Sequence, residues 1–296
     1  MLNFEPVKLE DRAWAQKILY SAGRMGCEYT FANLMFWMSS GGGIARVGDF
    51  ICPAAQWDGQ LRYLYPVGTG DPKPALEAIR ADAAEHGKPF ALRGVTEEDR
   101  AVLEKLYPGK FTYTLLRDSY DYLYPIEQLT QLSGKKLQAK RNHINRFIAD
   151  NPDWYTLPLD EKTAPLCEAF AKAWYETHDA SASLSVERRA IERTLKHFRQ
   201  LEADGLLLSD GSKIVAFSVG CRASDEMFDV NFEKADPDVS GAYAMINREF
   251  SRMVQSRYPD VRWLNREDDM GLEGLRRAKE SYHPQFVEKA EALWQD

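Results

Sequence analysis

The chain has 296 residues, 44% of them apolar and 28% charged, and its acids outnumber its bases by 45 to 38. This composition excludes a disordered, collagenous or coiled-coil chain, and a prior of ~150 residues per domain predicts about two domains. Apolar runs such as Ile214 to Phe217 are far shorter than the ~18 residues of a membrane span, and no secretory signal opens the chain. A cytoplasmic protein without a transmembrane segment is expected, with a mildly negative surface unlike that of a general nucleic-acid binder.

In chain order, the spacing of Trp14, Ile18 and Leu19 predicts a helix over 9–20, and a second apolar helix is expected over 31–38, ended by Gly41, Gly42 and Gly43. Strands follow over 43–47, 50–56 and 61–65, the last two joined by an Asp58-Gly59 hairpin turn. Pro72 and Pro74 open a helix to about residue 86; strand 90–93, helix 97–107 and strands 111–116 and 119–124 complete the half. From Trp154 the order repeats: a short strand, helices 164–178 and 186–203, strands 206–208, 213–221 and 227–233, helix 240–258, strand 261–264, helix 271–281 and strand 285–289. This duplication predicts a unit over 1–125 and a second over 126–296, the latter including a basic connecting helix over 133–149. Mixed sheets flanked by helices, an α/β or α+β architecture, follow from that order.

Three stretches carry candidate chemistry. Between the copies, residues 128–149 hold Lys135, Lys136, Lys140, Arg141 and Arg146 and no acid. On a helix, Leu137, Ile144, Phe147 and Ile148 would gather on one side, leaving a positive edge for phosphates or simply a solvated face. The second stretch is Asn265-Arg266-Glu267-Asp268-Asp269-Met270-Gly271, followed by Gly274, Arg276 and Lys279. It falls where a strand ends and a helix begins, the place at which open α/β sheets hold ligands. Asp268 or Asp269 could equally cap the helix. The matching first-copy residues, Gly94 to Glu98, keep a Thr cap and acids but lack the Asn-Arg pair and both glycines. The third stretch is a strand in which Asp229, Asn231 and Glu233 alternate and so should share one sheet face, with Tyr243 and Asn247 on the next helix closing the cleft. Asp229, Glu233, Glu267 and Asp268 are candidate proton acceptors. Asn231, Tyr243, Asn247, Asn265, Arg266, Gly271, Gly274, Arg276 and Lys279 are candidate substrate-binding residues.

The four cysteines and five histidines are dispersed, so no metal site is expected. Helix, helix, three-stranded meander, helix, strand is the element order of the acyl-CoA N-acyltransferase (GNAT) fold. Coenzyme-A-dependent members have a glycine-rich basic cradle after the fourth strand. Here the equivalent loops are 233–241, with three acids and one base, and 67–72, with two glycines and no base. Acids repel a diphosphate, so coenzyme A is disfavoured and no cofactor is expected.

Three segments, Tyr29 to Trp37, Gly134 to Phe147 and Asn265 to Tyr282, resemble the C-terminal catalytic domain family of bacterial phosphatidylglycerol lysyltransferases. The resemblance implies a tandem GNAT-like fold, similar to the aminoacyltransferases that build peptidoglycan cross-bridges. It implies transfer of an amino acid from aminoacyl-tRNA to a lipid headgroup or to a peptide amine or hydroxyl. It would assign the basic helix to tRNA phosphates and the second-copy cleft to the aminoacyl end. The alternatives are a non-catalytic binding protein of the same fold and an acetyl-CoA-dependent N-acetyltransferase.

Overall fold

Local signals place most elements where the residues predict them. The computed structural model describes residues 2–37, 42–57, 60–177 and 182–295. At Thr96 the hydroxyl accepts from Asp99 N (3.4 Å) while Thr96 N donates to the Asp99 carboxylate (2.9 Å), a reciprocal cap that starts a helix. The predicted Asp58-Gly59 turn, Met38, Gly41 and His178 lie outside the described residues.

The chain forms two units, residues 1–123 with 267–296, and residues 124–266. The first runs α1 (Arg12–Ala22), α2 (Phe31–Trp37), β1 (Gly43–Val47), β2 (Phe50–Trp57), β3 (Gln60–Leu64), β4 (Val67–Gly68), α3 (Lys73–Glu85), β5 (Ala91–Val95), α4 (Glu97–Leu106) and β6 (Phe111–Leu115). Strand β7 (Asp121–Pro125) carries the chain into the second unit. There follow α5 (Ile126–Gln131), α6 (Gln138–Asp150), β8 (Tyr155–Pro158), α7 (Ala164–Glu176), α8 (Ala182–His197), β9 (Ala203–Ser209), β10 (Ile214–Arg222), β11 (Met227–Ala235), α9 (Ala242–Arg257) and β12 (Trp263–Asn265). The chain then returns to the first unit as α10 (Glu273–Glu280), β13 (Gln285–Val287) and β14 (Ala290–Trp294).

That return places residues 267–296, expected in the unit over 126–296, with the first unit. The last segment packs with the first unit because β14 inserts between β5 and β6, giving the sheet order β1-β2-β3-β5-β14-β6. The strand expected over 285–289 is β13, which pairs with β7, and a further strand, β14, follows after Lys289. One face of this sheet forms a core of Tyr63, Leu92, Ala290 and Ala292 with Leu76, Ile79 and Leu103 from α3 and α4. Phe111 and Trp294 close it edge to face at 5.2 Å. In the second unit β8, β9, β10 and β11 are antiparallel neighbours and β12 pairs parallel to β11.

The basic connector is not one helix. Helix α5 ends at Leu132 in the left-handed region (φ 52°), Gly134 also has positive φ, and residues 135–137 form a 3-10 turn before α6. Leu132 and Gly134 break the helix, and Arg141 stabilises the break by donating to the carbonyls of Leu132 and Gly134.

Burial of Ala292 between two strands makes a specific demand. Ala292→Asp should cost at least ~3 kcal/mol by placing an unpaired charge in the core, whereas Gln295→Asp, on the surface, should stay within ~0.5 kcal/mol. Urea unfolding measures both, and equal midpoints would contradict the position of β14.

Candidate functional site

In the second unit, β11 brings its polar residues inside. Asp229, Asn231 and Glu233 are all shielded from solvent, so they are not the wet side of the strand. They do not form one uninterrupted face either. Ser218 pairs with Glu233 but Cys221 with Asp229, a register shift characteristic of a β-bulge, which breaks the two-residue alternation. Asn231 Nδ2 donates to Asp229 (2.9 Å). Glu233 accepts from Asn247 Nδ2 on α9 (3.1 Å) and from Arg266 Nη2 (2.8 Å), and the Arg266 guanidinium lies 5.6 Å from the centre of the Tyr124 ring.

The carboxylate can only accept, so it fixes the Asn247 amide with Nδ2 toward Glu233. Asn247 Oδ1 is then a buried acceptor with no hydrogen-bond partner among the described residues, and the same holds for Ser218 Oγ. Lys140, on α6, is half-buried in the same unit. Burial, then the Arg266 charge, brings its ammonium down to about 8, with Glu233 acting in the opposite sense. Asn265 is fully buried and pairs with Asp229 across β12 and β11; Tyr243 keeps an exposed flank, while burial and the nearby Glu233 charge push its hydroxyl up and the Ala235 backbone opposes them.

The predicted residues from Glu267 onward belong to the first unit. Between Glu267 and Gly271 the backbone has positive φ at Glu267 (56°), Met270 (51°) and Gly271 (75°), and non-glycine residues hold that conformation only when their surroundings enforce it. Lys279 supplies one constraint, donating to the carbonyls of Glu267 (3.3 Å) and Asp268. Asn33 Nδ2 supplies another, bonding the Glu267 carboxylate at 2.9 Å. Asp269 does not cap α10. It accepts from Gly271 N (2.8 Å), Arg276 Nε (2.9 Å), Arg117 (3.2 Å) and the Tyr122 hydroxyl. Burial opposes its ionisation, but these donors hold it down at about 2. Arg276 also binds Asp118 (2.6 Å), so both Lys279 and Arg276 are committed to shaping the loop. Gly271 is needed for its positive φ, whereas a Cβ at Gly274 would meet nothing within 4 Å.

Sequence reasoning missed the polar core beside that loop. Lys289 is 4% exposed, and its ammonium donates to Glu28 (2.5 Å) and Asp121 (2.7 Å). Cys27 Sγ lies 3.3 Å from Asp121. Cys27, Glu28 and Asp121 converge closely enough to suit a metal ion, but Lys289 already pairs with both carboxylates. Burial, then the Asp121 charge, pushes the Asp268 carboxyl up to about 6. The available signal was a charge inside each of two strand-like runs, Asp121 alone in 119–124 and Lys289, next to Glu288, in 285–289.

The basic set divides similarly. Lys135 and Lys136 are exposed, Lys140 turns inward, Arg141 caps α5, and exposed Arg146 pairs with Asp150 at 3.3 Å. Of the five, Lys140 and Arg141 are therefore engaged within the unit, and Lys135, Lys136 and Arg146 are exposed.

Coenzyme A, which the GNAT topology suggests, does not fit the two loops. After β11, Asp236 pairs with Lys213 (2.9 Å), and a Cβ on Gly241 would lie 2.2 Å from the His143 carbonyl oxygen, so α6 packs closely beside the start of α9. In the first unit Asp71 accepts from Lys73 N (3.0 Å), placing a carboxylate at the start of α3.

Comparison with known structures establishes the class as a tandem GNAT-like fold. A conserved protein of unknown function from Bacteroides thetaiotaomicron is 37% identical, with full coverage of both chains and a TM-score of 0.93. L-PGS from Bacillus licheniformis is 13% identical, covering 100% of this chain and 94% of its own, with a TM-score of 0.68. FemX is 10% identical, with 98% and 97% coverage and a TM-score of 0.56. Residues 21–290 match the family model described as phosphatidylglycerol lysyltransferase, C-terminal, and the chain belongs to that family. An uncharacterized protein of Mycoplasmoides gallisepticum is 28% identical over 187 residues, 61% of this chain and 58% of that protein, so the match spans less than two thirds of that relative. Among the described residues no helix is long and apolar enough to cross a membrane.

The raised carboxyl of Asp268 makes a signed prediction. Lifting its pKa from an ordinary ~3.9 to about 6 favours the fold below pH ~4, a contribution lost as pH rises through 6. Asp268→Asn should therefore stabilise the protein at pH 7.5, by on the order of 1–2 kcal/mol, and change it little at pH 4. Melting curves at the two pH values check this; destabilisation at pH 7.5 would contradict it.

Proposed function

We propose that the protein is an aminoacyltransferase that moves an amino acid from aminoacyl-tRNA to an amine or hydroxyl acceptor, on a lipid headgroup or a peptide. The observation that carries the reading is the buried Glu233–Asn247–Arg266 cluster with Lys140 beside it. Family membership supports it, as does the fold shared with FemX.

An aminoacyl ester is already activated, so the chemistry reduces to alignment, proton removal and oxyanion stabilisation. Glu233 and the open Asn247 Oδ1 are acceptors suited to the ammonium of the aminoacyl group. Arg266 is a donor suited to its carbonyl oxygen. The acceptor nitrogen or oxygen attacks the ester carbon, its proton passes to the neutral Lys140 amine, and the C–O bond to the ribose breaks. The leaving oxygen then takes the proton back. A pKa of about 8 leaves about one tenth of Lys140 neutral at pH 7, close to the optimum for a base at that pH. Asp229, Glu267 and Asp268 remain outside this assignment. Lys135 and Lys136 are the exposed cations suited to tRNA phosphates.

Single-turnover transfer from labelled aminoacyl-tRNA tests these roles. The rate should rise with pH through a midpoint near 8, and both Lys140→Met and Lys140→Arg should slow it by about 100-fold or more, since neither supplies a neutral amine. Glu233→Gln should weaken aminoacyl-tRNA binding by about tenfold or more. Full activity in Lys140→Arg would remove the proposed base, and tight binding without transfer in the wild type would favour the non-catalytic reading.

A further inference from the structure

On the face of the first unit's sheet opposite its core, β3, β5 and β14 carry charged residues. The pairing of Leu64 with Arg93 places Arg62 and Arg93 on the same side, and Glu291 stands beside them on β14. Together with Lys88, Pro89 and Ala91 they line a cleft of about 250 Å³. Three cations and one acid leave a formal charge of +2, concentrated on a chain whose total is −7.

The internal pairing does not use the donors fully. Arg93 Nε bonds Glu291 at 3.1 Å, but Arg62 Nη1 stands 3.7 Å from the same carboxylate, beyond hydrogen-bond reach. Arg62 Nε is buried and has no acceptor among the described residues. An oxyanion entering the cleft would instead take up the Arg62 Nη1 donors that stand beyond reach of Glu291, a charge-assisted pairing. The residual charge selects the class of anion: a phosphate monoester carries ~1.5 to 2 negative charges at pH 7 and a carboxylate only one. Pro89 and Ala91 add apolar wall, suited to a small apolar or aromatic body attached to the phosphate.

We propose that this cleft is a binding site for a small phosphate monoester, held by Arg62, Lys88 and Arg93. It uses none of the residues assigned to aminoacyl transfer, so either reading can fail without the other. Phenyl phosphate, inorganic phosphate and benzoate, titrated calorimetrically into the whole protein, test it. Phenyl phosphate should bind saturably, about tenfold or more tighter than either other probe, and weaken as salt rises. Arg62→Met and Lys88→Met should each lose about tenfold or more with an unchanged melting temperature; should Arg62→Met fail to fold, Lys88→Met alone carries the test. No saturable binding, or wild-type affinity in the folded variants, would overturn the proposal. Benzoate binding as tightly as phenyl phosphate would overturn the phosphate assignment, and equal affinity for inorganic phosphate would overturn the apolar contact.

Discussion

A single buried ammonium organises the first unit. Lys289 lies directly before β14, and its Nζ joins Asp121 at the start of β7 to Glu28 in the turn ahead of α2. Burial alone would strip the proton from such an amine, but Asp121, Cys27 and Glu28 hold it well above its ordinary value. An ion pair this deep is costly to break from one side, by about 3–5 kcal/mol, because a lone charge stays behind. The contact therefore fixes where β14 begins. With that start fixed, Ala290 and Ala292 reach the core and Glu291 comes out beside Arg62 and Arg93.

The same charges set the tone of the loop beyond Arg266. Asp268 feels Asp121 and is raised, while its neighbour Asp269, encircled by donors, is lowered. Adjacent carboxyls driven in opposite directions are a recurrent arrangement at functional sites, where acid and base roles must differ. In the second unit Glu233 is tied to two donors, while Lys140 is pushed toward its neutral form. Both clusters hold polar groups away from water, where their interactions are stronger and their geometry better defined.

Much of the fold was legible because it is written locally. Thr96 with Asp99, the prolines at α3 and the alternation of the meander strands each specify an element within a few residues. The repeated order of elements then pointed to two GNAT-like copies. What could not be read was long-range. Nothing near Ala290 says that it pairs with Leu115, and a five-residue strand at the end of the chain carries little pattern of its own. The bulge beside Gly220 is invisible in a strand that alternates perfectly as text. Residue types along 229–233 and 265–279 single out segments whose polar side chains the structure draws together into hydrogen-bonded clusters. Their partners Asn33, Asp118, Arg117 and Tyr122 are supplied by elements far away in sequence. Arg141 shows the converse error, since a basic residue in a basic run reads as surface charge until its carbonyl partners are seen.

The function proposed above is aminoacyl transfer without coenzyme A. The most direct measurement is incubation of the protein with a panel of aminoacyl-tRNAs, each carrying a radiolabelled amino acid, in the presence of lipid and peptide extracts, alongside labelled acetyl-CoA. Under the proposed function, label from one aminoacyl-tRNA appears in a lipid or peptide product and none is transferred from acetyl-CoA. Acetyl transfer, with every aminoacyl-tRNA left intact, would contradict it.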